Sequence, residues 1–210
     1  MTSGFISTMI KLQGKLPREL YLACSGGVDS MVALDFLRRK HDVRVLHFNH
    51  GTEHGRKAEK FVVDYCREQG INYIVERVRE KETIPPGASK EAWWREKRYA
   101  FFDKYDVHPI VTAHHLDDCV ETWVWLSMHG TGKIIPYRRK WVVRPFRLSR
   151  KRDFELWANL KNVPYIQDDS NEDIHYTRNY IRHEMMSNVL RINPGIHKTI
   201  SKKVLEDEQR

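Results

Sequence analysis

Short apolar runs alternate with longer amphipathic stretches along most of this chain. Glu19–Cys24 reads as a strand, and Asp29–Lys40, with apolar Met31, Leu34 and Leu37, as a helix. Val43–Phe48 is a second strand and Lys57–Gln69 a second helix. Asn72–Val78 is a third strand, Pro85-Pro86-Gly87 marks a loop, and Lys90–Tyr105 is helical. Pro109–Thr112 is a fourth strand and Asp117–Met128 a helix. Brief β-branched runs separated by helical periods are the mark of βαβ units. Such units build a parallel sheet with right-handed crossovers and helices on both faces. The expected fold class is therefore α/β, a doubly wound, Rossmann-like parallel sheet.

The pattern changes towards both ends. Phe5–Leu12 is expected to form a short helix. After Gly130-Thr131-Gly132, Trp141–Arg144 is a last strand, and Asp153–Leu160 and Tyr176–Leu190 are helical. A soft boundary falls near 148, dividing a sheet domain (1–148) from a small C-terminal helical extension (149–210). No internal repeat or low-complexity tract interrupts this order.

Charge adds a partner class. The 210 residues carry 36 Lys and Arg against 28 Asp and Glu, a net charge of +8. That balance favours a polyanion, with nucleic acid and anionic membrane both open. Arg138, Arg139, Lys140, Arg144, Arg147, Arg150, Lys151 and Arg152 fall within one stretch that contains no acid. Cys24, Cys66 and Cys119 are odd in number and none are paired as CxxC, which argues against a disulfide framework, a zinc ribbon or a cysteine-held cluster. Reduced thiols and the lack of any run of about 18 apolar residues point to a cytoplasmic protein without a membrane span.

The chemistry is concentrated at strand ends. Ser25-Gly26-Gly27-Val28-Asp29-Ser30 lies between the first strand and the first helix. Glycines there let the backbone turn tightly, and the helix N-terminus offers N–H groups to an anion. No Lys-Ser or Lys-Thr follows, so it is not a Walker A loop, and it lacks the GxGxxG spacing. His47-Phe48-Asn49-His50 ends the second strand. Ala113-His114-His115-Leu116-Asp117-Asp118-Cys119-Val120-Glu121-Thr122 follows the fourth and puts Glu121 one helical turn from both aspartates. Acids at a sheet's ligand edge suit Mg²⁺ or an ammonium group. Glu91, Arg95, Arg98 and Tyr99 share a helix face. Asp168-Asp169-Ser170-Asn171 precedes Arg178-Asn179-Tyr180-Ile181-Arg182. In isolation each string has a plainer account: a Gly-rich turn, a capped helix start, a solvated ion-pair ladder. Their joint placement on successive strand ends favours a site.

The loop is similar to the pyrophosphate loop of the PP-loop ATP-pyrophosphatase superfamily. With the HxNH strand end, the ExxxRxxRY helix, AHHxDDxxET, Arg144-Pro145 and the DxSN…RNxIR region, the chain resembles the tRNA(Ile)-lysidine synthetases from about Leu20 to Pro194. The resemblance implies an ATP-dependent ligase. ATP adenylates O2 of the wobble cytosine of a CAU-anticodon isoleucine tRNA, and the ε-amine of free L-lysine then attacks C2, with AMP and pyrophosphate released. It implies ATP contacts at Ser25, Gly26, Gly27, Val28, Asp29, Ser30, His47, Asn49 and His50. Catalytic roles fall on Asp29, His114, Asp117, Asp118 and Glu121, with Mg²⁺ on Asp117 and Asp118. Glu91, Arg95, Arg98, Tyr99, Arg144, Asn171, Arg178, Asn179 and Arg182 become substrate or tRNA contacts. Residues 1–148 become the ATP-binding catalytic domain, and 149–210 complete the active site and the tRNA surface.

The chain departs from the family at Gly51–Arg56, at His129-Gly130, across Lys133–Lys140 and at Trp94. The sequence also stops before the C-terminal domains usual in the family, which reads either as a compact form or as one domain of a longer protein. The oligomeric state is open, with a homodimer as one arrangement. Two other readings are another PP-loop enzyme, acting on tRNA or a small molecule, and a non-catalytic tRNA-binding relative. Intact phosphate-loop and acidic motifs weigh against the second.

Overall fold

The structure is a computed structural model of the full chain and describes residues 9–79, 82–168 and 173–208. Its elements in chain order are β1 (Glu19–Ala23), α1 (Val28–Leu37), β2 (Asp42–Asn49), α2 (Glu53–Glu68), β3 (Tyr73–Arg77), α3 (Lys90–Phe102), β4 (Ile110–Val111) and α4 (Leu116–Met128). They continue as β5 (Arg138–Arg139), β6 (Val142–Val143), α5 (Lys151–Lys161), α6 (Thr177–Tyr180), a π-helical turn (Ile181–Met185), α7 (Met186–Ile192) and α8 (Ile196–Glu208).

The six strands order as β3-β2-β1-β4-β6-β5. All neighbours are parallel except β5 and β6, which form an antiparallel hairpin at one edge. β1 is central, with Leu22 opposite Val45 of β2 on one side and Val111 of β4 on the other. The winding reverses between β1 and β4, and that crevice, at the carboxyl ends of the strands, is where open α/β sheets bind ligands.

Alternation along the strands feeds two cores. Leu20, Leu22, Val45, Val111 and Val143 face α1, α2 and α5, where Met31, Leu34, Val62, Phe154 and Trp157 are buried. Tyr21, Leu46, Ile110 and Val142 face the other way, against Phe101 and Phe102 of α3. A third core joins Cys119, Val120 and Val124 of α4 to Ile196, Ile200 and Val204 of α8. The doubly wound α/β expectation and the helical C-terminal region are thus both present. In packing, α5 belongs with α1 on the sheet, whereas α4 joins the C-terminal helices.

Local chemistry explains where the elements begin. The Thr52 hydroxyl accepts from the Gly55 N–H at 2.9 Å, so α2 starts at Glu53 rather than Lys57. Residues 5–8 of the expected first helix lie outside the described residues, and Met9–Leu12 is turn and coil. The expected single strand at Trp141–Arg144 is the second arm of the hairpin. Among the described residues no helix is long and apolar enough to cross a membrane.

Candidate active site

The phosphate loop leaves β1 and enters α1 at Val28, so the N–H groups of Val28, Asp29 and Ser30 head the first turn without intrahelical partners. Within the loop the Ser30 hydroxyl donates to the Gly27 carbonyl at 2.9 Å and accepts from the N–H groups of Ser25 (3.1 Å) and Gly26 (3.2 Å). Gly26 has φ +91°, and an added Cβ would meet Val62, Ile166 and Phe61 at 3.3–3.4 Å. Its carbonyl accepts from the Ile166 N–H at 3.0 Å, so the segment after α5 straps the loop. The Val28 side chain packs against the core.

Across the switch point, α4 opens with a reciprocal cap. His115 donates its backbone N–H to Asp118 Oδ2 at 2.9 Å, and its Nδ1 accepts from the Asp118 N–H at 3.4 Å. This leaves His115 Nε2 directed towards Asp29, 3.8 Å away. Asp29 itself holds the Lys151 ammonium at 2.7 and 2.9 Å. The Lys151 backbone N–H donates to Asp117 Oδ2 at 2.8 Å, and His197 Nε2 meets Asp117 Oδ1 at 2.9 Å. α5 and α8 therefore meet α4 at the Asp117 carboxylate, and the loop joins them through Lys151. Asp118 Oδ1 accepts from Arg178 at 2.7 Å, and Arg182 grips Glu121 through two bonds of 2.8 and 2.9 Å. Hydrogen bonds and neighbouring cations hold Asp117 and Asp118 far below the usual carboxylate range, against the opposing effect of burial.

Burial disfavours the charged form of His114, His50 and His47. Burial pushes His114 down to about 3, with Arg178, Arg144 and Arg98 adding to the effect against Asp118. His50 is pushed down to about 4 by burial and by Arg98 and His47. His47 is lowered by burial, and its Nδ1 meets the Cys24 carbonyl at 2.8 Å. Its Nε2 and the Nδ1 of His50 are buried polar atoms without a partner among the described residues.

The expected site residues thus separate. The loop, His114, Asp117, Asp118, Glu121, Arg98, Arg144, Arg178 and Arg182 converge. Asn49 is engaged structurally: its amide donates to Glu59 at 2.8 Å, and Arg77 clamps the same carboxylate. Asn179 is buried and donates to the Asp173 carbonyl at 3.0 Å. Glu91 and Arg95 are exposed on α3, and Tyr99 is half-buried there. Asn171 lies outside the described residues. In the sequence Lys151 stands only within the basic stretch and His115 only within the AHHxDDxxET string, and His197 carries no signal of its own beyond Ile196, Ile200 and Val204, which recur at helical spacing and could have placed it on a packed helix.

Asp117 and Asp118 as arranged do not offer an open metal site, because each carboxylate already meets protein cations or N–H donors. Among the described residues no group of three or more His, Cys, Asp or Glu side chains could hold a metal. The loop does fit a phosphate chain: it joins free N–H groups, two hydroxyls and a nearby ammonium. Burial raises all three thiols, Cys66 and Cys119 to about 12, which leaves none suited to nucleophilic work.

The family model described as the PP-loop domain, labelled as ATP-binding, matches residues 3–189. The chain belongs to this PP-loop family. Its similarity extends to proteins named tRNA(Ile)-lysidine synthase. One from Francisella tularensis subsp. holarctica (strain OSU18) is 33% identical over 201 residues, covering 89% of this chain and 50% of that protein. Another, from Thermotoga sp. (strain RQ2), is 32% identical over 198 residues, covering 85% and 47%. The chain spans about half the length of the curated relatives it matches. Among solved structures, the NH3-dependent NAD synthetase of Campylobacter jejuni, in complex with nitrate, shares the PP-loop chain's fold. Its TM-score is 0.52 at 12% identity, covering 94% of this chain and 88% of that one.

Proposed function

We propose that this chain is the ATP-cleaving catalytic core of a tRNA(Ile)-lysidine synthetase. O2 of the wobble cytosine of a CAU-anticodon isoleucine tRNA attacks the α-phosphorus of ATP, the bond to the β-phosphate oxygen breaks, and pyrophosphate leaves. The lysine ε-nitrogen then attacks C2, the C2–O2 bond breaks, and AMP departs with that oxygen. The observation that carries this reading is the junction at Asp117, where the phosphate loop, through Asp29 and Lys151, meets the acid-arginine cluster of α4. It is supported by the similarity to relatives bearing that enzyme's name.

The chain's own groups divide the work. N–H groups of Val28, Asp29 and Ser30, with the α1 dipole, would hold the departing pyrophosphate, where charge accumulates. Lys151 would exchange its Asp29 partner for a phosphate oxygen. The unpartnered nitrogens of His47 and His50 offer hydrogen-bond positions to the nucleotide. Arg98, Arg144 and Arg178 surround neutral His114 with positive charge suited to a nucleotide substrate. Asp117 and Asp118, held far below the ordinary carboxylate range, would stay anionic and keep Lys151, His197 and Arg178 in position rather than act as proton acceptors. Lysine's ordinary pKa near 10.4 means the amine must shed a proton before it attacks. Mg²⁺ would arrive with the ATP phosphates, which supply most of its shell, and would offset their charge.

The test is incubation of the purified chain with ATP, labelled L-lysine and CAU-anticodon tRNA. Label should enter the RNA with AMP and pyrophosphate formed in step. ATP binding without AMP formation or labelled RNA would sink the reading.

A further inference from the structure

The eight cations between 138 and 152 do not form one surface. Arg144 and Arg147 are buried, the first on the Tyr99 hydroxyl (3.1 Å) and the Pro136 carbonyl (2.9 Å), the second on Gln13 and Asp207. Lys151 is bound to Asp29, and Arg150 lies against His197 and Asp117. Lys140 pairs with Asp103 at 3.0 Å. This leaves Arg138 and Arg139, and Arg152 with only a loose 3.9 Å pair to Asp153, as exposed arginines, and the sheet divides them. Arg139 stands opposite Val142, whose side chain faces α3, so Arg139 is on that face. Arg138 stands opposite Val143, whose side chain faces α1 and α5, and Arg152 lies on α5 itself.

On the α3 face the cations are organised. Arg139 lies over the Tyr99 ring at 5.0 Å and Arg95 over the same ring at 4.8 Å, beside a groove of about 410 Å³ between α3 and the hairpin. Two acids line that groove, Asp103, already neutralised by Lys140, and Glu96. One helical turn on from Arg95 is Arg98, half-buried on α3, and the same helix packs Trp94 on His50 at the end of β2, ring centroids 5.1 Å apart. Arg139 and Arg95 thus share one ring, and α3 carries on from them, through Arg98, to its packing against the end of β2.

We infer that this line, Arg139–Arg95–Arg98, is the path along which an RNA strand reaches the active site. This rests on the nucleic-acid reading proposed above and names the surface that serves it. Guanidinium groups braced on an aromatic ring present flat faces for bases and N–H forks for phosphates, the pairing that single-stranded RNA recognition uses. An acidic protein partner would gain the charge contacts but not the stacking ones.

The experiment measures binding of a fluorescent anticodon stem-loop RNA as a function of salt, without ATP or lysine. Arg139→Gln and Arg95→Gln should each weaken binding on the order of tenfold and lower the salt slope by about one. Arg138→Gln and Arg152→Gln, on the opposite face, should leave both unchanged. Arg139→Lys should recover the slope but only part of the affinity, because charge returns without the flat stack. Equal losses in all four Gln variants, or no loss in Arg139→Gln with circular dichroism unchanged, would overturn the path. Track-dependent RNA binding by a wild-type chain that incorporates no lysine overturns the enzymatic reading and leaves the path standing.

Discussion

Lowering the pH from 7 to 5 should destabilise this protein through two histidines before the carboxylates titrate. His114 and His50 fall from an ordinary 6.5 to about 3 and about 4 in the folded chain. Their folded pKa lies below the unfolded one, so the unfolded chain takes up protons that the folded chain refuses. Stability is then present above 6.5 and drains as the pH falls towards the folded values. At pH 5 a fully shielded ring of this kind costs about 2 kcal/mol. Both rings keep partial solvent contact, so roughly half of that applies to each, and the pair together costs about 2 kcal/mol. Asp117 and Asp118 act in the opposite sense of charge but in a lower window. Their folded pKa is depressed, so their contribution is intact above the ordinary 3.8 and is lost only below it. Urea titrations at pH 7 and pH 5, on the wild type and on a His50→Gln/His114→Gln variant, isolate the effect. The wild type should lose about 2 kcal/mol more than the variant between the two pH values. Equal losses in the two proteins, or imidazole NMR signals of these rings titrating near 6.5, would refute the reasoning.

Gly26→Ala places a methyl against Val62, Phe61 and Ile166 at a backbone φ of +91°. It should cost about 2 kcal/mol and weaken nucleotide binding, read by thermal melting with and without ATP. Arg182→Ala removes the two-bond grip on buried Glu121 while Arg178 still serves Asp118. Because the Arg182 side chain is 34% exposed, the loss should be about 2 kcal/mol in urea titration rather than the about 3–5 kcal/mol of a fully buried pair. Adding Glu121→Gln should recover part of it, and an unchanged midpoint in the single variant would discount the pair.

The sheet and the strings at its carboxyl edge were legible because their signals are local. A strand, two glycines and a helix start within a dozen residues specify the phosphate loop, and Asp117, Asp118 and Glu121 share one turn of α4. Contacts made across the chain left no such trace. Lys151 reaches Asp29 across 122 positions and His197 reaches Asp117 across 80, and neither is announced by its neighbours. The β5–β6 hairpin was missed for a different reason. Its turn residues Lys140 and Trp141 carry none of the usual Gly or Asn, yet Lys140 takes φ +52°. The basic run at 138–152 looked uniform in sequence because charge alone does not show which arginines face inward.

The strap from Ile166 to the Gly26 carbonyl has a consequence for the sign of the loop's field. A trans peptide points its carbonyl and the following N–H in opposite directions. Tying the Gly26 oxygen to Ile166 therefore turns the Gly27 N–H away from the strap, on the side where it meets the Ser25 hydroxyl at 3.4 Å. A flip of this one plane would bring a carbonyl oxygen where an N–H had been and would set two oxygens, that carbonyl and Ser25 Oγ, against each other. Residue 166, in a segment with no chemistry of its own, thus acts as a polarity lock on a loop 140 positions earlier in the chain.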